Sequence, residues 1–340
     1  MVQIRVHNPG EENVTIATVV YERYLSSKGA RRIGWFYIRK ILIKLLNDPP
    51  CSVLIHGRRL QIPLSHQLPD YLEKYRFYDR LPRRISEYVH VSQGHLNCID
   101  VGANIGDTVA SFIKQASDIF LAVEPNPSFR KYLTKNWGWN KNVTIVEEMC
   151  SSGSKTGKFL VKEKDGTAAL HQSEEGTQIK CRSLDEIVAD HPASGSVNVL
   201  KIDTDGFDFE VIRGARRIIA QTHPVVLFEC DPFSNANYVT DCLETLSFFK
   251  QSGYNFFLLY DNYGNLMGQY SLSDLAPFQN LLFYQLSAER CYFDILVMMD
   301  NDMSAFYKTE IEEFINNMPN KLLQPTAATV VELQRSTERS

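Results

Sequence analysis

From Leu96 onward the chain alternates short apolar, β-branched runs with longer stretches of helical character, and no other feature restricts its fold as much. The runs are "LNCIDVG", "IFLAVEP", "VTIVEE", "VNVLKID" and "VVLFEC". Such alternation builds a parallel sheet, because each helix carries the chain back to begin the next strand in the same direction. Most runs are apolar at successive positions, as strands covered on both faces require. Helices are expected over 105–116, 127–138, 207–220 and 237–252. "GKFLVKE" and "TQIKCRS", separated by the polar "KDGTAALHQSEEG", read as a hairpin inserted beside the sheet. "YNFFLLYD" and "CYFDILVMM" would complete an α/β, Rossmann-like, mostly parallel sheet of seven strands with helices on both faces.

Residues 1–95 have a different texture: a helical stretch, then "CSVLIHGRRLQIPLS" with a turn signal at Gly57, then helical sequence around "YLEKYRFYDRLPRRISEYV". They are expected to form an accessory region, with the main domain over 96–320. The last segment, 321–340, is low in apolar content and without a clear period, and is expected to be a disordered tail.

With 340 residues, 44% of them hydrophobic, the chain can bury a large core. A net charge of −4, with both signs intermixed, argues against nucleic acid as a partner. The seven cysteines form no CxxC pair, as expected of reduced thiols in the cytoplasm. The opening "MVQIRVHNPGEENVT" lacks the pattern of a signal peptide, and no apolar run approaches the roughly 18 residues of a membrane span.

The chemistry is expected at the strand ends. In "CIDVGANIGDT", Asp100, Gly102, Asn104 and Gly106 occupy the turn from the first strand into a helix. A glycine there lets a ligand approach the backbone, yet the third glycine of a dinucleotide-binding turn is missing. Asp100 suits a cationic ligand better than a pyrophosphate, and S-adenosylmethionine carries a sulfonium and an ammonium. Glu124, closing the second strand in "LAVEPN", can accept from both hydroxyls of a ribose. After the third strand either Glu147 or Glu148 could receive the adenine amino group, with Glu148 favoured. Asp203 ends the fourth strand, where open α/β sheets place their reacting groups. Asp205 and Asp208 read as helix-start residues. Glu229 and Asp231 end the fifth strand, so three strands could assemble an acidic rim. A metal site built from that rim is not expected.

"CIDVGANIGDT", "AVEPNP" and "LKIDTDGFDFEVIRGA", in this order and spacing, resemble the FkbM-type family of S-adenosylmethionine-dependent methyltransferases over roughly residues 70 to 300. The resemblance implies a class I methyltransferase sheet and O-methylation of sugar or polyketide hydroxyls. Where that family often has Val, Glu, Gly, Ala and Glu after "KID", this chain has Thr204, Asp205, Gly206, Phe207 and Asp208. Phe207 in place of a small residue would narrow the acceptor pocket.

The expected activity is therefore methyl transfer from S-adenosylmethionine to a hydroxyl, on a sugar of a glycan or glycosylated metabolite. Asp203 is the first candidate base, followed by Glu229 and by His171 in the polar hairpin tip. A nicotinamide-dependent oxidoreductase is the rival enzyme, and a non-catalytic cofactor-binding module the rival of another class. Trp137 and Trp139 read as packing residues. "RRIGWFYIRKILIKLL", residues 31–46, joins five positive charges to apolar residues. It is expected to pack its apolar side on protein, either the main domain or a second subunit in a homo-oligomer. Peripheral contact with an anionic membrane is the alternative.

Overall fold

The computed structural model describes residues 15–164, 167–172, 177–192, 196–232, 235–288 and 291–337. Two compact units divide at Lys74, residues from Tyr75 onward forming the second apart from 164–166.

The first unit begins with α1 (Ile16–Ser26), capped by the Thr15 side chain accepting from Thr18 N, and α2 (Gly29–Leu45). An antiparallel hairpin follows, β1 (Pro50–Ile55) and β2 (Arg58–Pro63), turned by His56 and Gly57 at φ of 48° and 77°. Left-handed conformation at both central residues gives a turn whose twist matches that of the strands. The unit closes with α3 (Leu68–Lys74).

In the second unit, α4 (Leu81–Gln93) leads into β3 (Asn97–Val101), α5 (Asp107–Phe112), β4 (Ile119–Val123), α6 (Pro127–Trp137) and β5 (Val143–Val146). The expected division at residue 95 thus falls too late, because α4 belongs with this unit: its Ser86 Oγ donates to the carbonyl of Phe112 in α5 and Arg84 pairs with Glu310. Four strands form a separate sheet in the order β6-β9-β7-β8: β6 (Met149–Cys150), β7 (Lys155–Lys164), β8 (Thr167–Gln172) and β9 (Thr177–Arg182). The expected hairpin is therefore part of a larger sheet, since the polar tip itself contains a strand. After α7 (Leu184–Ala189), with a full Ser183–Glu186 capping box, come β10 (Val199–Ile202), α8 (Asp208–Gly214), α9 (Arg216–Thr222), β11 (Val225–Cys230) and α10 (Tyr238–Gln251). The single helix expected over 207–220 is two, broken at Ala215. The unit ends with β12 (Phe256–Asp261), β13 (Leu266–Ser271), α11 (Ala276–Ser287), β14 (Phe293–Val297), α12 (Asp300–Asn316) and α13 (Gln324–Thr337).

The main sheet has eight strands in the order β13-β12-β14-β11-β10-β3-β4-β5. From β5 to β11 the pairs are parallel, and β14 enters antiparallel between β11 and β12. This is the class I methyltransferase sheet with one strand beyond the seven expected. The additional strand, β13, pairs antiparallel with β12 from within the aromatic-rich connection, where all six residues are half-buried. Every residue of β3 and β10 is buried, as expected of central strands covered on both faces. One large core cluster runs from Ile99 and Leu121 through Phe228 and Phe249 to Phe278 and Ile295. The segment expected to be a disordered tail is helical over 324–337: Ala327, Ala328 and Glu332 favour helix, and Gln324 Nε2 donates to Ile315 O at the end of α12. Among the described residues no helix is long and apolar enough to cross a membrane.

Candidate functional site

The carboxyl ends of β3, β4, β5 and β10 border a cavity of about 430 Å³, which Met149 and Ile179 of the smaller sheet also line. Parallel strands deliver all their carboxyl ends to one edge, so turns distant in sequence meet there. The first turn is held by two glycines. At Gly102, with φ of 84°, a Cβ would lie 1.8 Å from the carbonyl oxygen of Asp203, so glycine is required here by the neighbouring strand's backbone. Gly106 has the same φ, and a Cβ there would meet the Trp137 ring at 2.3 Å. Trp137 is buried and donates from Nε1 to Gly106 O, which settles it as a packing residue.

Glu124 joins the first two turns. Its Oε2 accepts from Asn104 N and its Oε1 from Asn126 N, each at 2.8 Å. Each carboxylate oxygen has two acceptor sites, so each keeps one for a ligand. The side chain lines the cavity but is only 5% exposed. Burial pushes its carboxyl up to about 7, against the two backbone N–H groups that favour the charged form. Asn104, at φ of 46°, and Gly102 line the same wall; Gly106 does not.

Asp100 is placed otherwise than expected. It does not line the cavity; it is fully buried and faces Lys201, whose Nζ lies 3.5 Å from Oδ1. Parallel register causes this, since Lys201 sits directly opposite Asp100. The other oxygen, Oδ2, is buried without a hydrogen-bond donor among the described residues. Burial raises the Asp100 carboxyl and Lys201 opposes the shift. Lys201 in turn remains firmly protonated, because Asp203 and Asp100 outweigh the cost of burying it.

Asp203 does line the cavity. Its side chain is 51% exposed, and Oδ2 accepts from Lys201 Nζ at 2.9 Å. Glu229, the second candidate base, does not line the cavity. Its Cα partner across the sheet is Asp294, and like charges directly opposite repel. Burial, with Asp203, Asp208 and Asp294 nearby, holds its carboxyl well above the usual range, and burial and Asp203 do the same to Asp294. The acidic rim thus includes Asp294, from a strand that runs the opposite way, as well as Asp203 and Glu229. Asp208 has a tying role: it accepts from Thr204 N and Oγ1 and from Glu229 N, joining the ends of β10 and β11. Asp205 lines the cavity at φ of 50°.

Glu148, favoured for the adenine amino group, pairs instead with Arg182 at 3.0 Å, and Glu147 is the one that lines the cavity, paired with Arg130. Residues alternate direction at a strand end, so only one of the two can face inward. The side chain of His171, in β8, lies outside the described residues. Phe207 lines the cavity and packs against Met149 and Cys181. Among the described residues no group of three or more His, Cys, Asp or Glu side chains is arranged to hold a metal ion.

Sequence reasoning missed Lys201 as a site residue. Its signal was available: two residues before Asp203 on a parallel strand, it shares a face with that aspartate and stands beside Asp100.

Residues 100–256 match the family model of the methyltransferase FkbM domain. This segment is similar to a methyltransferase FkbM domain. The match begins at Asp100 in β3 and ends at the first residue of β12, so all four strand ends that border the cavity lie inside it. The methyl donor of the FkbM domain is S-adenosylmethionine, and the cavity's acceptor-rich wall at Glu124 fits its adenosine half. No curated protein matches the chain. Among solved structures, the chain is similar to methyltransferase FkbM from Methylobacillus flagellatus KT, with 18% identity, 48% of this chain and 40% of that one covered, and a TM-score of 0.34. It thus spans less than half of that protein's length. A precorrin-6y C5,15-methyltransferase from Geobacter metallireducens GS-15 is 15% identical over 64% of this chain and 87% of that one, with a TM-score of 0.35. The METTL16 methyltransferase domain is 11% identical over 86% and 96%, with a TM-score of 0.39.

Proposed function

We propose that the protein O-methylates a hydroxyl, on a sugar of a glycan or glycosylated metabolite. The observation that carries this reading is the position of Asp203, a half-exposed carboxylate on the wall of the same cavity that Glu124 lines inside the FkbM domain. Glu124 receives the ribose hydroxyls through its two remaining acceptor sites. Gly102 and Asn104 line the same wall, and Glu147, which also lines the cavity, is assigned to the adenine amino group. Asp100 acts at one remove, by fixing Lys201.

When bound, S-adenosylmethionine supplies an electrophilic methyl group, and displacement at a sulfonium leaves little developing charge for the protein to stabilise. The protein's work is to orient the hydroxyl and accept its proton. Asp203 takes that proton on its carboxylate, and Lys201 holds the carboxylate in place through Oδ2. Phe207 and Ile179 limit the space left for the acceptor and exclude water from it.

The test uses labelled S-adenosylmethionine with fractionated glycans and glycosylated metabolites. Label should appear as an alkali-stable methyl ether. Asp203→Asn keeps the shape and removes the base, so transfer should fall by roughly 10² to 10⁴ while S-adenosylhomocysteine binds nearly as before. Equal loss of binding would make Asp203 a cofactor contact, and normal turnover would end its role as base.

A further inference from the structure

We infer that α2 is a membrane-surface helix that docks on anionic lipid headgroups. The helix is built inside out. Its inward side holds Arg39, which is buried and donates to the Leu64 and His66 carbonyls, pairs with Asp70 and lies 4.0 Å from the centroid of the Tyr21 ring. Arg32 on the same side pairs with Asp70 and Glu73. The inner contacts of α2 thus include two arginines held by acids and backbone carbonyls of its own unit.

At 3.6 residues per turn, Ile33, Tyr37, Ile41 and Leu45 stack along the outward side with Ile38 beside them. They are 59%, 61%, 56%, 73% and 42% exposed in that order. Side chains of this size and exposure present an apolar patch on the order of 500 Å², at the upper end of what monomeric surfaces leave in water. Lys40 and Lys44 flank this stripe on one border and Arg31 on the other, all exposed and none in an ion pair among the described residues. No acidic residue occurs anywhere in α2.

The charges select the occupant. A second copy meeting this face across a two-fold axis would set its own lysines and arginine against like charges, with no acid on either helix to answer them. Anionic headgroups answer all three while acyl chains receive the stripe, which is how helices lie in a membrane interface. Since α2 is too short and too charged to cross a membrane, it lies on the surface. Each basic residue near such a surface adds about a fivefold gain in partitioning, so the three together give a preference on the order of a hundredfold for anionic over neutral bilayers.

The experiment is cosedimentation of the full chain with phosphatidylcholine vesicles, with and without phosphatidylserine. Binding should require phosphatidylserine and weaken with salt. Lys40→Glu with Lys44→Glu should lower it at least tenfold, and Tyr37→Ser with Ile41→Ser and Leu45→Ser should abolish it. Amide exchange on the unaltered protein gives a second reading that needs no variant: vesicles should protect the exposed α2 segment. Failure to sediment with phosphatidylserine vesicles, or sedimentation without protection of α2, would overturn the inference. A concentration-dependent dimer that the triple substitution dissociates, with no lipid binding, would assign the face to a second copy instead. None of these outcomes depends on methyl transfer.

Discussion

Replacing Glu124 with Gln tests the cofactor half of the site with the least change in shape. In the native protein both carboxylate oxygens accept a backbone N–H at 2.8 Å, from Asn104 and Asn126. A glutamine must turn its NH2 toward one of these donors and loses the acceptor that a ribose hydroxyl would use on that side. One charge-assisted hydrogen bond to a ligand is worth roughly 1.5 to 3 kcal/mol, so the affinity for S-adenosylhomocysteine should fall about 10- to 150-fold. Stability should change much less. Because the buried carboxyl titrates near 7 rather than 4.5, Glu124 works against the ligand-free fold increasingly as pH rises from about 4.5 to about 7, and Gln removes that penalty while losing one backbone bond. The same shift gives a second signature. Ribose hydroxyls donate to the ionised carboxylate, so the native affinity should weaken as pH falls below about 7, whereas the variant should show no such dependence. Isothermal titration calorimetry across this range measures both quantities. An unchanged dissociation constant, or an identical pH profile for variant and native protein, would refute the assignment of Glu124 to the ribose.

Lys201→Met leaves Asp100 buried without its cation and should cost about 3 to 5 kcal/mol of stability near neutrality, read by urea unfolding. The deficit should shrink in acid, where a protonated Asp100 needs no partner, and full stability at pH 7 would show that the pair contributes nothing. Gly102→Ala forces a Cβ against the Asp203 carbonyl in a left-handed conformation, and a loss of roughly 2 to 4 kcal/mol is expected from the thermal midpoint, with cofactor binding impaired as the two strand ends separate. A tolerated alanine would mean that the turn relaxes freely.

Much of the second unit was legible because its determinants are local. Each of the five runs read as parallel strands contains its own β-branched apolar stretch, and each turn its own signal, Gly102 and Gly106 above all. Glu124 could be placed on the cavity wall from its position at a strand end alone. The hairpin turn at Gly57 was equally local.

Other features were decided by partners far along the chain. Asp100 reads as a ligand-facing acid until the register of β3 against β10 sets Lys201 beside it, 101 residues away. The choice between Glu147 and Glu148 turned on where Arg130 and Arg182 reach, and Asp294 joined Glu229 only through antiparallel pairing with a strand near the end of the domain. For α2 the sequence determined that basic and apolar residues share one helix. Which side faces inward was decided by Asp70, Glu73 and the Leu64 and His66 carbonyls, which draw Arg32 and Arg39 in. Local propensity fixes where strands, helices and turns form, because each depends on a few neighbouring residues. Long-range register fixes which charges meet, because side chains distant in sequence become neighbours only when the sheet is assembled.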